Sequence, residues 1–283
     1  MSPQLSAREM GEVERANASG RPTVVFVHGL WVLSSSWDPW RTLFEEVGYA
    51  TVAPDWPDDP ETAEIARAEP ARLAGNGITR VVDHLTDVLG TLEAPPTIIG
   101  HSFGGLITQI LAGRGLASVS VPIDPAPGRG VLPLPLSASK AAAPVLRNPA
   151  NRNRAVMLSY EQFVYAFANA VEETEARQLY ERFAVPGPGR PLFEAATANL
   201  NPRTAAYADP HHPRRGPMKF IAGEKDHTVP RAIVRASFGR QRNNPAVTEF
   251  EEIADRGHSL VFDSGWRTVA HATLAFIENH RPH

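Results

Sequence analysis

A third of the way along the chain, Gly100-His101-Ser102-Phe103-Gly104 follows the apolar Thr97-Ile98-Ile99 and runs into Leu106-Ile107-Thr108-Gln109-Ile110-Leu111. A G-x-S-x-G sequence between a strand and a helix is a place for a nucleophile. A chain that turns abruptly from strand to helix strains its junction residue, so the flanking positions must be small. Ser102 would stand on the point of that turn, its hydroxyl exposed at a helix N-terminus and favoured there by the dipole. A serine hydroxyl is almost fully protonated at neutral pH, so it needs an adjacent base, and the base needs a third group to fix its tautomer. The chemistry to look for is acyl transfer through a serine, supported by a histidine and a carboxylate elsewhere in the chain.

Holding such a serine in place requires a sheet. Residues 23–27, 50–53, 97–99 and 119–123 are short apolar runs without alternation, as expected of strands covered on both faces. Between them, 37–47, 78–92 and 103–112 read as helices; in the second, Ile78, Val81, Val82, Leu85, Val88, Leu89 and Leu92 recur at three and four residues. The pattern breaks from about 125 to 217, where many of the 26 prolines fall beside Ala-rich and Arg-rich patches. It resumes with strands at 218–222 and 247–253, a helix at 231–238 and a last helix with Trp266, Val269, Ala270, Thr273, Leu274 and Ile277 on one face. Strands alternating with helices imply right-handed crossovers and a mostly parallel, doubly wound α/β sheet. The expected division is a polar N-terminal tail at 1–21, a core from 22–124 and 217–283, and a helical cap inserted at 125–216. Such a cap would cover the C-terminal edge of the sheet, where open α/β sheets bind ligands.

Composition narrows the partners. The 283 residues contain no cysteine, which removes disulfides, thiolate metal sites and cysteine nucleophiles together. With 28 basic and 31 acidic side chains the net charge is -3, so no strongly basic domain invites a nucleic acid. No apolar run reaches the length of a signal peptide or a membrane span, and a cytoplasmic protein without a membrane partner is the expectation. His211-His212 has the look of a metal pair, but no carboxylate or cysteine stands nearby at a suitable spacing. No metal and no organic cofactor are expected. Oligomeric state leaves no trace in the sequence.

The chain resembles the α/β-hydrolase superfamily, in its capped serine esterase and lipase-like group. The resemblance runs from Pro22 to about Glu278 and rests on several features. These are His28-Gly29 after the first strand, Asp55 in APDWP, Gly100 to Gly104, Gly223 to Asp226 before His227-Thr228-Val229-Pro230, and Gly257-His258. It implies that His258, between a late strand and the last helix, is the base. It implies that Asp226, after the penultimate strand, is the acid, in the chain order Ser, Asp, His. Glu224, two residues away, and Asp124, at the end of the preceding strand, are the rival acids; Asp55 reads as a loop stabiliser. His28 resembles the structural histidine of the family's HG turn, and His101 is expected to point away from the nucleophile.

The implied oxyanion donors are the N–H groups of Phe103 and Leu30, with Trp31 as the alternative to Leu30. Trp31, Phe163 and Phe167 are expected to touch a small, largely apolar substrate, although Trp31 could pack against the cap and the phenylalanines could be plain helix core. The expected reaction is hydrolysis of a carboxylic ester through an acyl-enzyme on Ser102. The same triad would also serve a lactonase, a thioesterase, a C–C hydrolase or a cofactor-free perhydrolase or haloperoxidase-like enzyme. A small-molecule receptor on the same fold is the reading from another class.

Overall fold

The computed structural model describes residues 5–281. Six strands, β1 (Thr23–Val27), β2 (Ala50–Val52), β3 (Thr97–His101), β4 (Val119–Ile123), β7 (Met218–Gly223) and β8 (Thr248–Ile253), form one sheet in the order β2-β1-β3-β4-β7-β8. Every neighbouring pair is parallel. The short strands β5 (Ala155–Val156) and β6 (Gly187–Pro188) pair separately and antiparallel. Helices α1 (Ala7–Ser19), α2 (Asp38–Glu46), α3 (Ala63–Ala68), α4 (Ile78–Gly90) and α5 (Phe103–Ala112) precede β4 or link the first strands. Helices α6 (Leu136–Leu146), α7 (Tyr160–Ala166), α8 (Glu173–Phe183) and α9 (Arg190–Ala196) fall between β4 and β7, with α10 (Arg231–Gln241) and α11 (Trp266–His280) after them.

The chain moves toward one edge from β1 to β2 and toward the other from β3 to β4. With right-handed crossovers, α2 and α5 must then cover opposite faces. Parallel strands buried on both sides need no alternation, and β1, β3 and β4 are buried almost throughout. On the α2 face, Phe26, Trp37, Trp40 and Phe44 form an aromatic cluster with ring centroids 5.1 to 6.3 Å apart. Trp40 also donates to the Val261 carbonyl at 2.7 Å and meets Trp266 of α11, which places the last helix on the same face. Trp37 is thus a core residue.

The polar N-terminal segment is not a tail. Residues 7–19 form α1, opened by a reciprocal capping box between Ser6 and Glu9. The helix packs on the β2 side with Glu9, Glu12, Val13 and Ala16 buried. The buried Glu12 carboxylate accepts from Arg8, Arg41 and the Ala53 N–H, so its burial is compensated by charge and by hydrogen bonds. Asp55 is held by Arg8 at 2.7 Å and by the Ser34 hydroxyl at 2.5 Å, as a loop stabiliser should be.

Four short helices and the β5–β6 pair lie between β4 and β7, where the composition shifts. They are tied down to the sheet layer at several points. Arg67 of α3 donates to the carbonyls of Tyr180, Glu181 and Ala184 at the end of α8, and Glu194 of α9 accepts the Ile78 N–H at 2.8 Å. Trp31 donates through Nε1 to the Val156 carbonyl at 3.0 Å. No helix among the described residues is long and apolar enough to cross a membrane.

Candidate active site

Ser102 sits where β3 becomes α5, with φ 57° and ψ -121°, a conformation that side chains other than hydrogen rarely adopt. The surroundings over-determine it. Its N–H donates to the Ile123 carbonyl, while its own carbonyl accepts from Gly105, Leu106 and Ala126. Close packing explains Gly104: a Cβ there would stand 2.1 Å from the Val27 carbonyl oxygen, so only glycine lets α5 approach β1.

Asp226 and His258, contributed by turns that follow β7 and β8, meet Ser102 over a separation of 156 residues. His258 Nε2 lies 3.0 Å from Ser102 Oγ, and Nδ1 lies 2.6 Å from Asp226 Oδ2, with both His258 and Asp226 side chains fully buried. Asp226 Oδ1 accepts the N–H groups of Thr228 (2.6 Å) and Val229 (2.8 Å). The carboxylate therefore has each oxygen occupied and its plane set. Glu224 accepts the Asp255 N–H in a turn. His211 and His212 take part in local turns around Asp209 and Arg214.

Two further groups stand behind this line. Asp124 is wholly buried at φ 40°, its Oδ1 accepting the Gly223 N–H at 2.9 Å, and its Oδ2 has no donor. Burial, then the negative charge of the neighbouring Asp226, push its carboxyl well above the usual carboxylate range, which favours the protonated form, the form that can donate to Asp226. His101 packs against His258. Its ring lies 4.5 Å from that of His258, and burial followed by the charge of His258 drives its titration well below the ordinary imidazole value. His101, Asp124 and His258 bring their donor atoms within 4.8 Å of one another. Both His258 nitrogens are already engaged by Asp226 and Ser102, which leaves it no lone pair for an ion.

The loop after β1 faces the serine. A Cβ on Gly29 would lie 2.7 Å from the Ser102 Cβ, so the backbone passes directly over Ser102. His28 Nδ1 lies 2.9 Å from the Gly29 carbonyl oxygen. Because that carbonyl and the Leu30 N–H belong to one peptide plane, holding the oxygen on the His28 side turns the Leu30 N–H the other way. His28 Nε2 is 3.1 Å from Asp59 Oδ2, in contact but poorly aligned for a hydrogen bond. Trp31 follows at φ 66°, its carbonyl accepting the Val185 N–H.

A cavity of about 320 Å³ opens over Ser102 and Phe103. Trp31, Leu132, Leu134, Leu192 and Ile233 supply its bulk, and Ala138, Ala141, Ala142, Ala195 and Ala196 supply its space. The Ala-rich patches are thus cavity wall, since small side chains on facing helices leave room between them. Phe163 and Phe167 do not line it, contrary to the expectation from sequence. Their rings stack on one another at 5.1 Å, and Phe167 packs on the His258 ring at 4.9 Å, so the phenylalanines form a wall around the histidine. A helical apolar stripe has the same period whether it faces a core or a ligand. A larger groove of about 960 Å³, bounded by Thr23, Thr97, Ser118 and Pro217, opens at the opposite end of the strands, remote from Ser102.

The family model of the alpha/beta hydrolase family matches residues 24–272, and the chain belongs to that family. Among solved structures it is similar to a monoacylglycerol lipase from Paleococcus ferrophilus, at 18% identity over 92% of this chain and 96% of that one, with a TM-score of 0.66. An extracellular alpha/beta-hydrolase from a Paenibacillus species matches at 18% identity over 90% and 98%, TM-score 0.67. A pyrethroid hydrolase from Sphingobium faniae JZ-2 matches at 18% identity over 91% and 97%, TM-score 0.62. Likeness at this identity concerns the fold. No curated protein sequence matches the chain.

Proposed function

We propose that this protein is a serine hydrolase that cleaves the carboxylic ester of a small, largely apolar substrate. The observation that carries the reading is the buried line from Asp226 through His258 to Ser102, at 2.6 and 3.0 Å, opening into an apolar cavity. Its volume lies at the lower end of the roughly 300–1,000 Å³ range of ligand pockets, which favours a small substrate.

In this reading Ser102 Oγ attacks the acyl carbonyl as His258 Nε2 takes its proton. Asp226 holds Nδ1–H and stabilises the imidazolium that forms. The carbonyl oxygen becomes an oxyanion facing the N–H groups of Phe103 and Leu30, each worth about 3 to 4 kcal/mol in the transition state. His258 then gives its proton to the departing alcohol, leaving an acyl-enzyme. A water molecule, deprotonated by His258, attacks the acyl carbon; the second tetrahedral intermediate collapses, the proton returns to Ser102 and the carboxylic acid departs. The serine distinguishes this chemistry from epoxide hydrolysis and hydrolytic dehalogenation in the superfamily, which use an aspartate at the elbow.

Labelling by a fluorophosphonate tests the reading: the folded protein should be modified at Ser102, and Ser102→Ala should neither label nor turn over p-nitrophenyl esters. A panel of such esters of increasing chain length, with lactones and thioesters alongside, ranks the bond types by kcat/KM. A folded protein that failed to label and turned over none of these would be a receptor on a hydrolase fold.

A further inference from the structure

Between β4 and α6 the chain runs Val131-Leu132-Pro133-Leu134-Pro135-Leu136. Val131 is buried, but Leu132, Leu134 and Leu136 are 78%, 78% and 89% exposed. Asn199 binds this segment, accepting the Gly130 N–H at 2.6 Å and donating to the Val131 carbonyl at 2.9 Å. Its neighbour Leu200, 85% exposed, therefore lies alongside. Half of the eight large exposed hydrophobic residues among the described ones thus belong to two joined segments. Leu132 and Leu134 also line the cavity over Ser102, so the apolar surface continues into the site. Clustered exposed apolar residues mark a contact surface.

Charge indicates what the surface contacts. Residues 125–160 contain Arg129, Lys140, Arg147, Arg152 and Arg154 and no Asp or Glu. Residues 190–207 add Arg190 and Arg203 against one carboxylate, Glu194, which is turned inward onto the Ile78 N–H. The two leucine-bearing segments carry a net +6 in a chain whose total is -3. Leu136 and Lys140 of α6 and Arg147, the residue that follows it, are spaced so as to share a face, and all three are exposed. Leucines to insert, on segments that carry these cations, complement an anionic lipid surface.

We propose that this face seats the cavity mouth on an anionic lipid surface. Docking stands independently of catalysis; that an acyl ester dissolved in the lipid passes through the Leu132–Leu134 mouth to Ser102 rests on the esterase reading above.

Co-sedimentation with vesicles of phosphatidylcholine alone, or mixed with phosphatidylglycerol, tests it. Wild type should pellet with the mixed vesicles and be released by salt, because screening weakens the cationic contribution. Leu136→Ser/Leu200→Ser, two positions outside the cavity lining, should partition about tenfold or more weakly, and Lys140→Glu/Arg147→Glu should lose the preference for phosphatidylglycerol. Both variants should keep wild-type kcat/KM on a dissolved short-chain ester, which shows them folded, and Ser102→Ala should bind vesicles like wild type. Equal binding by wild type and the leucine variant, or no preference for anionic vesicles, overturns the proposal. So does a concentration-dependent dimer, seen by light scattering, that the leucine substitutions abolish, since the face would then belong to a second copy of the chain. Vesicle binding without turnover of any ester would leave docking standing and remove the esterase reading instead.

Discussion

Asp124 and Asp226 are both buried carboxyl groups beside His258, and exchanging each for asparagine should have opposite consequences. Apart from Asp124, Asp226 has three donors to satisfy: Thr228 N–H and Val229 N–H on Oδ1, and His258 Nδ1–H on Oδ2. An asparagine has one oxygen. If it stays with the two backbone donors, its NH₂ faces Nδ1, which must then accept, and the imidazole proton moves to Nε2 opposite Ser102. The base is lost, and kcat should fall by about 10⁴, as wrong-tautomer substitutions do in serine triads. Asp124 already favours the protonated form, with an orphaned Oδ2 beside Asp226. An amide NH₂ there can donate to Asp226 as the carboxyl proton does, so kcat for Asp124→Asn should stay within about threefold, under ~0.7 kcal/mol.

The same substitution has a pH signature. Unfolded, Asp124 titrates near 3.9, whereas folded it keeps its proton well above that pH, because of burial and the charge of Asp226. Above about pH 4 the folded state thus holds a proton that the unfolded chain has released, and stability falls by about 1.4 kcal/mol per pH unit until Asp124 titrates in the fold. His101, held neutral by burial and His258, contributes the opposite slope below about 6.5 and none above. Relative to Asp124→Asn, wild type should therefore lose stability as pH rises above about 4, whatever slope the other groups add to both proteins. Urea denaturation at pH 5 to 8, with kcat on one p-nitrophenyl ester, measures both effects. A loss of kcat in Asp124→Asn equal to that in Asp226→Asn, or a stability difference from wild type that is flat with pH, would refute the assignment of Asp226 as the acid and Asp124 as its neutral neighbour.

Other substitutions test the surrounding parts. His28→Ala frees the Gly29 carbonyl and with it the Leu30 N–H; kcat should fall by about tenfold to a hundredfold with KM little changed, part of the effect of losing one oxyanion donor. Gly104→Ala places a Cβ 2.1 Å from a backbone oxygen, and thermal denaturation should show a loss of more than about 4 kcal/mol or no folded protein at all. Ala142→Phe fills part of the cavity wall, so kcat/KM should drop for long acyl chains and be kept for acetate esters.

The sheet and the residues of the Asp226–His258–Ser102 line were largely legible in the sequence, because each leaves a local trace. Buried parallel strands are short apolar runs, a strand-to-helix turn needs glycines around Ser102, and Gly257 precedes His258. The helix at residues 7–19 also left its trace, Ser6-Ala7-Arg8-Glu9, but the polarity of the segment hid it; its buried Glu12 pairs with Arg41 and the Ala53 N–H and its buried Glu9 with His84, residues far along the chain. The roles of His101 and Asp124 depend wholly on tertiary placement, since nothing near either residue announces that His258 and Asp226 pack against it. Phe163 and Phe167 show the limit of periodicity: three- and four-residue spacing defines a face without saying what the face meets. The cavity escaped notice for a related reason, being made of alanines whose contribution is the volume they leave.

Backbone strain is concentrated at one edge of the sheet. Trp31, Ser102 and Asp124 have φ of 66°, 57° and 40°, and they follow β1, β3 and β4, three adjacent strands at the point where the strand order reverses. Such conformations cost of order 1–3 kcal/mol each and persist only where the surroundings enforce them. At Ser102 the enforcing contacts are the hydrogen bonds to Ile123, Gly105, Leu106 and Ala126. Ser102→Ala and Ser102→Gly both remove the hydroxyl and should abolish turnover by the proposed mechanism, but only glycine relieves φ 57°, ψ -121°. Glycine also raises the entropy of the unfolded chain, by about 0.5–1 kcal/mol relative to alanine, and would be the less stable variant if the turn were relaxed. Ser102→Gly should instead equal or exceed Ser102→Ala in urea midpoint. A clear deficit of the glycine variant would mean that the turn stores no strain and that the serine is presented at no energetic cost to the fold.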